Sequence, residues 1–118
     1  MNKYKNIQVE VDGILFQSKK ESRRYQELKL LERAGEIQGL THHKVYVLIP
    51  KSAKFRKVDY VADFCYTTKA GEFIVEDVKG LAGSSATIQK IKSSGAYKIF
   101  KIKQKLMFYI YGIEVKEV

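Results

Sequence analysis

Asp63 and the run Val75-Glu76-Asp77-Val78-Lys79-Gly80 are the residues of this chain best suited to chemistry. Side chains alternate faces along a strand, so Asp77 and Lys79 share one face and Glu76 takes the other. By the same rule Val61, Asp63 and Cys65 share one face of the preceding strand-like segment. A short turn at Gly71 makes the two segments antiparallel neighbours and brings Asp63 close to Asp77. Two carboxylates within several Å repel, and one takes up a proton unless a cation bridges them. Mg²⁺ suits such a pair, with Mn²⁺ as a substitute, because it takes oxygen ligands and keeps waters for a phosphate. The metal would polarise a phosphate oxygen and acidify bound water. Lys79 would either orient the attacking water or neutralise charge developing on the phosphate. The competing reading of Asp77 and Lys79 is a surface ion pair worth ~0–1 kcal/mol. Val75, Val78, Ala62 and Phe64 argue instead for inner strands, where an unpaired charge costs several kcal/mol.

Glu21 has two readings. Ser18-Lys19-Lys20-Glu21 fits a capping box, in which the Glu bonds back to the cap residue. Glu21 also stands on the same helical stripe as Tyr25 and Leu28, which faces the sheet, and there it supplies a third carboxylate. Glu76 is either a partner on the opposite sheet face or an alternative ligand. His42-His43 reads as polar surface, since neighbouring rings diverge on a strand and a chelate is disfavoured. Cys65 reads as a small core residue. Two basic clusters flank the acids: Lys19, Lys20, Arg23 and Arg24, then Lys90, Lys92, Lys98, Lys101 and Lys105. Stripes of this kind are often solvated helix faces, but paired around carboxylates they suit two phosphate strands.

The elements that must position these residues follow from turn signals and periodicity. Asp12-Gly13 interrupts an alternating stretch over residues 7–16 and predicts a hairpin. Ser18 opens a helix to about Ala34, stopped by Gly35, with Tyr25, Leu28 and Leu31 as its apolar stripe. Strands are expected over residues 44–49, 58–67 and 72–79. A mobile Gly/Ser-rich loop, with a short helical turn at 87–92, is expected over residues 80–95. Residues 96–111 read as a helix with Ile99, Ile102, Leu106 and Ile110 inward; Gly112 stops it, and 113–118 form a last strand. The order predicts an α/β or α+β fold, a central sheet flanked by helices, in a single domain over residues 1–118.

Composition narrows the function. The 118 residues carry 22 Lys+Arg against 13 Asp+Glu, a formal charge of +9 that favours an anionic partner, nucleic acid first. No apolar run is long enough to span a bilayer, and no apolar targeting segment follows Met1. The single cysteine excludes a disulfide framework. A cytoplasmic protein without a membrane partner is expected.

Taken in order, Glu21, Asp63 and Asp77-Val78-Lys79 resemble the PD-(D/E)xK nuclease signature. More closely, the chain resembles small phage-type proteins of that superfamily described as Holliday junction resolvase-like. The similar blocks are Asp12-Gly13 through Ser18-Lys19-Lys20-Glu21, Arg24-Tyr25 with Leu28, Tyr60-Val61-Ala62-Asp63-Phe64, Val75-Glu76-Asp77-Val78-Lys79-Gly80, and Lys103-Gln104-Lys105-Leu106. The resemblance implies a restriction-endonuclease-like αβββαβ core with a central mixed sheet. It implies Asp63, Asp77, the Val78 carbonyl and Glu21 on a divalent metal, and Lys79 as the catalytic lysine. It departs from the superfamily pattern in lacking the proline that often precedes the first Asp, and in having Asp77 where Glu is more usual. The implied activity is Mg²⁺-dependent DNA endonuclease action, at branched DNA such as Holliday junctions in phage recombination or replication, inside the bacterial host. Two coordinated cuts at a junction imply a homodimer. The alternative is a noncatalytic nucleic-acid-binding phage accessory protein, which Asp77→Asn would leave able to bind.

Overall fold

Asp12 and Gly13 both take positive φ, 53° and 76°, as a primed two-residue hairpin turn requires. They join β1 (Val9–Val11) to β2 (Ile14–Phe16). The structure, a computed structural model, describes residues 7–79 and 83–118. Ser18 accepts from the Glu21 N–H at 3.1 Å and caps α1 (Lys19–Arg33). The helix ends where Gly35 enters the left-handed region at φ 80°. Glu36 N–H then donates to Leu31 O and Gly35 N–H to Glu32 O, the paired bonds of a Schellman stop.

Four strands form the main sheet in the order β3 (Ile37–Ile49), β4 (Val58–Thr68), β5 (Phe73–Asp77), β6 (Val115–Glu117). The first three run antiparallel and β6 runs parallel to β5. Between β5 and β6 the chain makes α2 (Ser85–Lys92) and α3 (Gly95–Tyr111), and Gly112 closes α3 at φ 69°. This is the expected α+β layout of hairpin, helix, three strands, helix, strand, with α2 added. Within the segment expected to be a loop, α2 is a regular helix capped by Ser84, and residues 80–82 lie outside the described residues. Among the described residues, no helix is long and apolar enough to cross a membrane.

Each sheet face carries one apolar cluster. Phe16, Tyr25, Leu28, Phe64 and Tyr66 pack between the sheet, the hairpin and α1. Tyr46, Tyr60, Ala62, Val75, Phe100 and Met107 pack between the sheet and α3. Each fully buried large side chain among them contributes about 1.5–3 kcal/mol. Three expectations are corrected here. β3 begins at Ile37, not residue 44. The inner face of α3 is set by Phe100 and Met107, with Tyr97 and Leu106 beside them, whereas Ile99, Ile102 and Ile110 are exposed. Leu31 is likewise exposed, and the buried stripe of α1 is Glu21, Ser22, Tyr25 and Leu28.

One irregularity positions the site. On β4, Tyr60 and Ala62 face α3, yet Phe64 and Tyr66 face α1, although all are even-numbered. The alternation therefore slips by one residue at Asp63. Its place opposite falls to His43, between the pairs His42↔Phe64 and Lys44↔Ala62. His43 has φ 54°, uncommon for a residue other than glycine. Because of this slip, Val61 and Cys65 lie on opposite faces, contrary to the expectation that they share one with Asp63: Val61 is exposed and Cys65 is buried against α3. Regular β4–β5 pairing extends from Thr67↔Phe73 to Phe64↔Glu76, so Asp63 stands just past its end.

Candidate metal centre

Glu21 is delivered to the sheet by the first turn of α1 and is only 6% exposed. Its backbone N–H serves the Ser18 cap, but its carboxylate turns inward: Oε1 lies 2.8 Å from His43 Nε2. The capping-box reading of the side chain is thereby replaced. Asp63 completes a group in which one donor atom each from Glu21, His43 and Asp63 lie within 4.8 Å of one another. The Val78 N–H donates to Asp63 Oδ2 at 2.6 Å and fixes that carboxylate against β5.

The second half of the site comes from β5 and α3. Asp77 accepts from the Tyr60 hydroxyl at 2.7 Å through Oδ2, and its Oδ1 lies 3.0 Å from Lys79 Nζ. Lys79 Nζ also sits 3.6 Å from the centroid of the Phe100 ring, a cation–π contact that α3 supplies. The β6 end holds this stretch in place: Lys79 N–H donates to Val118 O, and Val118 N–H donates to Asp77 O, both at 2.9 Å. Asp77 and Lys79 thus share a face, as alternation requires.

Electrostatics mark Asp63 as the strained member. Burial first, and then repulsion from Asp77, push its carboxyl up to about 7, against the Val78 hydrogen bond that lowers it. Glu21 adds to the rise and His43 offsets part of it. A carboxyl pushed up by burial and then by neighbouring acids is relieved by a cation, and a carboxylate–imidazole–carboxylate donor set fits a small divalent one. Ligands about 2.1 Å from one octahedral ion lie about 3.0 Å apart when adjacent and about 4.2 Å when opposite, so closing the cluster takes at most about 2 Å.

Glu76 stands apart from this group, on the α1 face. Arg24 donates to it through Nε at 2.8 Å and Nη2 at 2.6 Å, and the Tyr66 hydroxyl donates to Oε2. The fork raises the Arg24 pKa, the hydrogen bond to Glu76 contributing most. Arg24, expected on DNA, is therefore occupied by a buried acid and by Glu27 at 3.0 Å. Removing the fork leaves the buried Glu76 without its cationic partner. Arg24→Met is expected to lose about 3–5 kcal/mol in urea unfolding. Arg24→Met with Glu76→Leu should recover much of that loss; equal losses for both variants would show that the pair is not electrostatically coupled.

The remaining basic residues divide. Lys19, Lys20 and Arg23 are exposed on the first turns of α1, and Lys20 Nζ donates to the Lys79 carbonyl, so this cluster borders the site. Lys90, Lys92, Lys98 and Lys105 are exposed on α2 and α3, but Lys101 is drawn to Glu117 Oε2 at 3.2 Å. His43 is the site residue that sequence reasoning misses. Its neighbour His42 stays exposed, so one imidazole joins the acids and the pair does not chelate. No curated protein and no solved structure matches the chain. Residues 1–113 match the profile of DUF1064, described as a protein of unknown function, and over that extent the chain belongs to the DUF1064 family.

Proposed function

We propose that the chain is a metal-dependent endonuclease that hydrolyses phosphodiester bonds in DNA, at branched sites such as four-way junctions. The observation that carries this reading is the meeting of Glu21, His43 and Asp63 within 4.8 Å, beside an Asp77–Lys79 pair 3.0 Å apart. Glu21, His43 and Asp63 would hold the cation, with Asp77 as the adjacent carboxylate. Bound there, a divalent ion supplies Lewis-acid polarisation of a phosphodiester oxygen and a water of lowered pKa. Lys79 offers its ammonium to the phosphate oxygen that gains charge, and Phe100 shields one side of that ammonium from water. Tyr60 keeps Asp77 oriented through its hydroxyl. The charge of +9 and the exposed Lys19, Lys20 and Arg23 support a phosphate backbone as the partner. One site per chain and two cuts per junction make a two-fold homodimer part of the proposal.

Purified protein incubated with linear duplex, flap and four-way junction DNA tests it directly. Nicks in the branched substrates with Mg²⁺ or Mn²⁺, and none with EDTA, are expected. Clean protein that binds but cuts nothing in either metal leaves the noncatalytic reading instead.

His43 sharpens the choice of ion. Mg²⁺ takes oxygen ligands almost exclusively, whereas imidazole favours transition ions. Calorimetry is expected to give Mn²⁺ about tenfold tighter binding than Mg²⁺, and His43→Ala to narrow that gap to a few-fold. Loss of both ions in equal measure would remove His43 from the ligand set.

A further inference from the structure

The tip of the β3–β4 hairpin has no part in the site, yet its side chains are those of a nucleic-acid contact. Residues 51–57 read Lys-Ser-Ala-Lys-Phe-Arg-Lys, with Lys51, Lys54, Arg56 and Lys57 and no acid among them. Phe55 at its apex is 74% exposed. It is not a loose loop residue. The Ser52 N–H donates to Phe55 O at 3.0 Å, the Phe55 N–H returns a bond to Ser52 Oγ at 3.0 Å, and the Lys54 N–H donates to the same Oγ at 3.3 Å. Ser52 therefore braces a tight turn that fixes the backbone of Phe55, whose ring stays exposed. A phenyl ring exposed among these basic residues is unfavourably hydrated and stacks on no ring of the described residues, whereas a base face flanked by phosphates matches both features.

The tip also stands at a measurable remove from the chemistry. Asp63 and the start of β4 at Val58 are five residues apart, roughly 17 Å at about 3.3 Å per residue. The apex residue then lies roughly 20 Å from the metal centre, the length of about six stacked nucleotides at 3.4 Å each. A base inside a continuous duplex hides its face, so an aromatic tip gains only where a strand break, gap or branch exposes one. We infer that the β3–β4 tip is a second DNA contact, in which Phe55 stacks on an unpaired or helix-end base about six nucleotides from the cut phosphate while Lys54 and Arg56 hold the adjoining backbone; Lys57 is drawn to Asp59 at 3.1 Å. The inference rests on DNA as the partner proposed above and names the structural feature of that DNA, but it does not depend on cleavage.

The chain has no tryptophan, so Phe55→Trp places a single tryptophan at the apex, read apart from the tyrosines by excitation at long wavelength. The test uses the full chain in EDTA with gapped duplex, four-way junction and uninterrupted duplex, following both anisotropy of labelled DNA and tryptophan emission. Quenching on gapped and junction DNA, and little on uninterrupted duplex, is expected. Phe55→Ala should weaken gapped and junction binding about tenfold and leave duplex binding within twofold. Lys54→Gln with Arg56→Gln should weaken all three and lower the salt slope by about 2. Binding by anisotropy with silent tryptophan and an unchanged Phe55→Ala overturns the inference while leaving the nuclease reading intact. Quenching by DNA in a protein that never cuts upholds it and overturns the nuclease reading instead. Failure to bind any of the DNAs overturns both, and a Phe55→Ala change that alters only the sedimentation of the free protein assigns the tip to a second copy of the chain.

Discussion

Lys79→Met is expected to lower metal-dependent DNA cleavage by about a thousandfold while leaving DNA affinity within a few-fold of wild type. Among the described residues the ammonium it removes is held chiefly by Asp77 at 3.0 Å and the Phe100 ring at 3.6 Å, with the Tyr97 ring farther off at 5.9 Å. Neither contact is needed to close the core, which packs on Phe100 and Met107 rather than on the lysine. Loss of one preorganised charge-stabilising group in a partly dry site typically removes two to three powers of ten from turnover. Lys79→Arg should not restore the rate, because a guanidinium stacked on the Phe100 ring directs its donors in a fixed planar fork and spreads its charge, whereas the ammonium is a compact point charge. Single-turnover cleavage of a junction in Mn²⁺, paired with anisotropy in EDTA, separates the two effects. Wild-type turnover in Lys79→Met would remove the lysine from the chemistry, and a matched fall in binding would make it a phosphate contact.

The half of the site on β5 is legible in the sequence because period-two alternation holds there: Asp77 and Lys79 face α3, and Glu76 faces Arg24 on α1. The helix acid is legible as well, since Glu21, Tyr25 and Leu28 recur at helical spacing and all are buried. His43 is not, because its strand breaks the rule that would place it. Its φ of 54° and the slip at Asp63 turn an imidazole expected at the surface toward two acids. Nothing local signals that slip apart from Gly39 and the polar run before residue 44, which instead hides the first half of β3. The stripe of α3 is misread for another reason. Ile99, Ile102 and Ile110 make as regular an apolar row as Tyr97, Phe100 and Met107, and periodicity does not rank two rows on one helix. Only the position of Tyr60 and Val75 across the sheet selects the second. Likewise Arg24 and Lys101 look like their basic neighbours until Glu76 and Glu117 are seen to engage them.

Asp63 makes the stability of the metal-free protein fall as pH rises, the reverse of the usual behaviour of a paired carboxylate. Its folded pKa of about 7 stands above the ordinary 3.8, chiefly through burial and then through Asp77. The folded state therefore holds a proton that the unfolded chain gives up between about pH 4 and pH 7. The stabilisation is complete below about pH 4, is lost progressively toward pH 7, and is absent above it. A shift of about three units corresponds to roughly 4 kcal/mol. Asp63→Asn keeps an oxygen for the Val78 N–H and carries no charge to bury. At pH 8 without metal it should exceed wild type by about 2–4 kcal/mol, on the order of 10 °C in melting temperature for a chain of this length. At pH 4 the two proteins should melt within a few degrees of each other. Millimolar Mn²⁺ at pH 8 should close the gap from the other side, raising wild type by mass action and leaving Asp63→Asn little changed. Scanning calorimetry at pH 4, 6 and 8, with EDTA or Mn²⁺, follows all three trends. A constant difference between the two proteins across that range would mean that Asp63 titrates as an ordinary surface acid, and the crowding of carboxylates around it would then lose its claim to a cation.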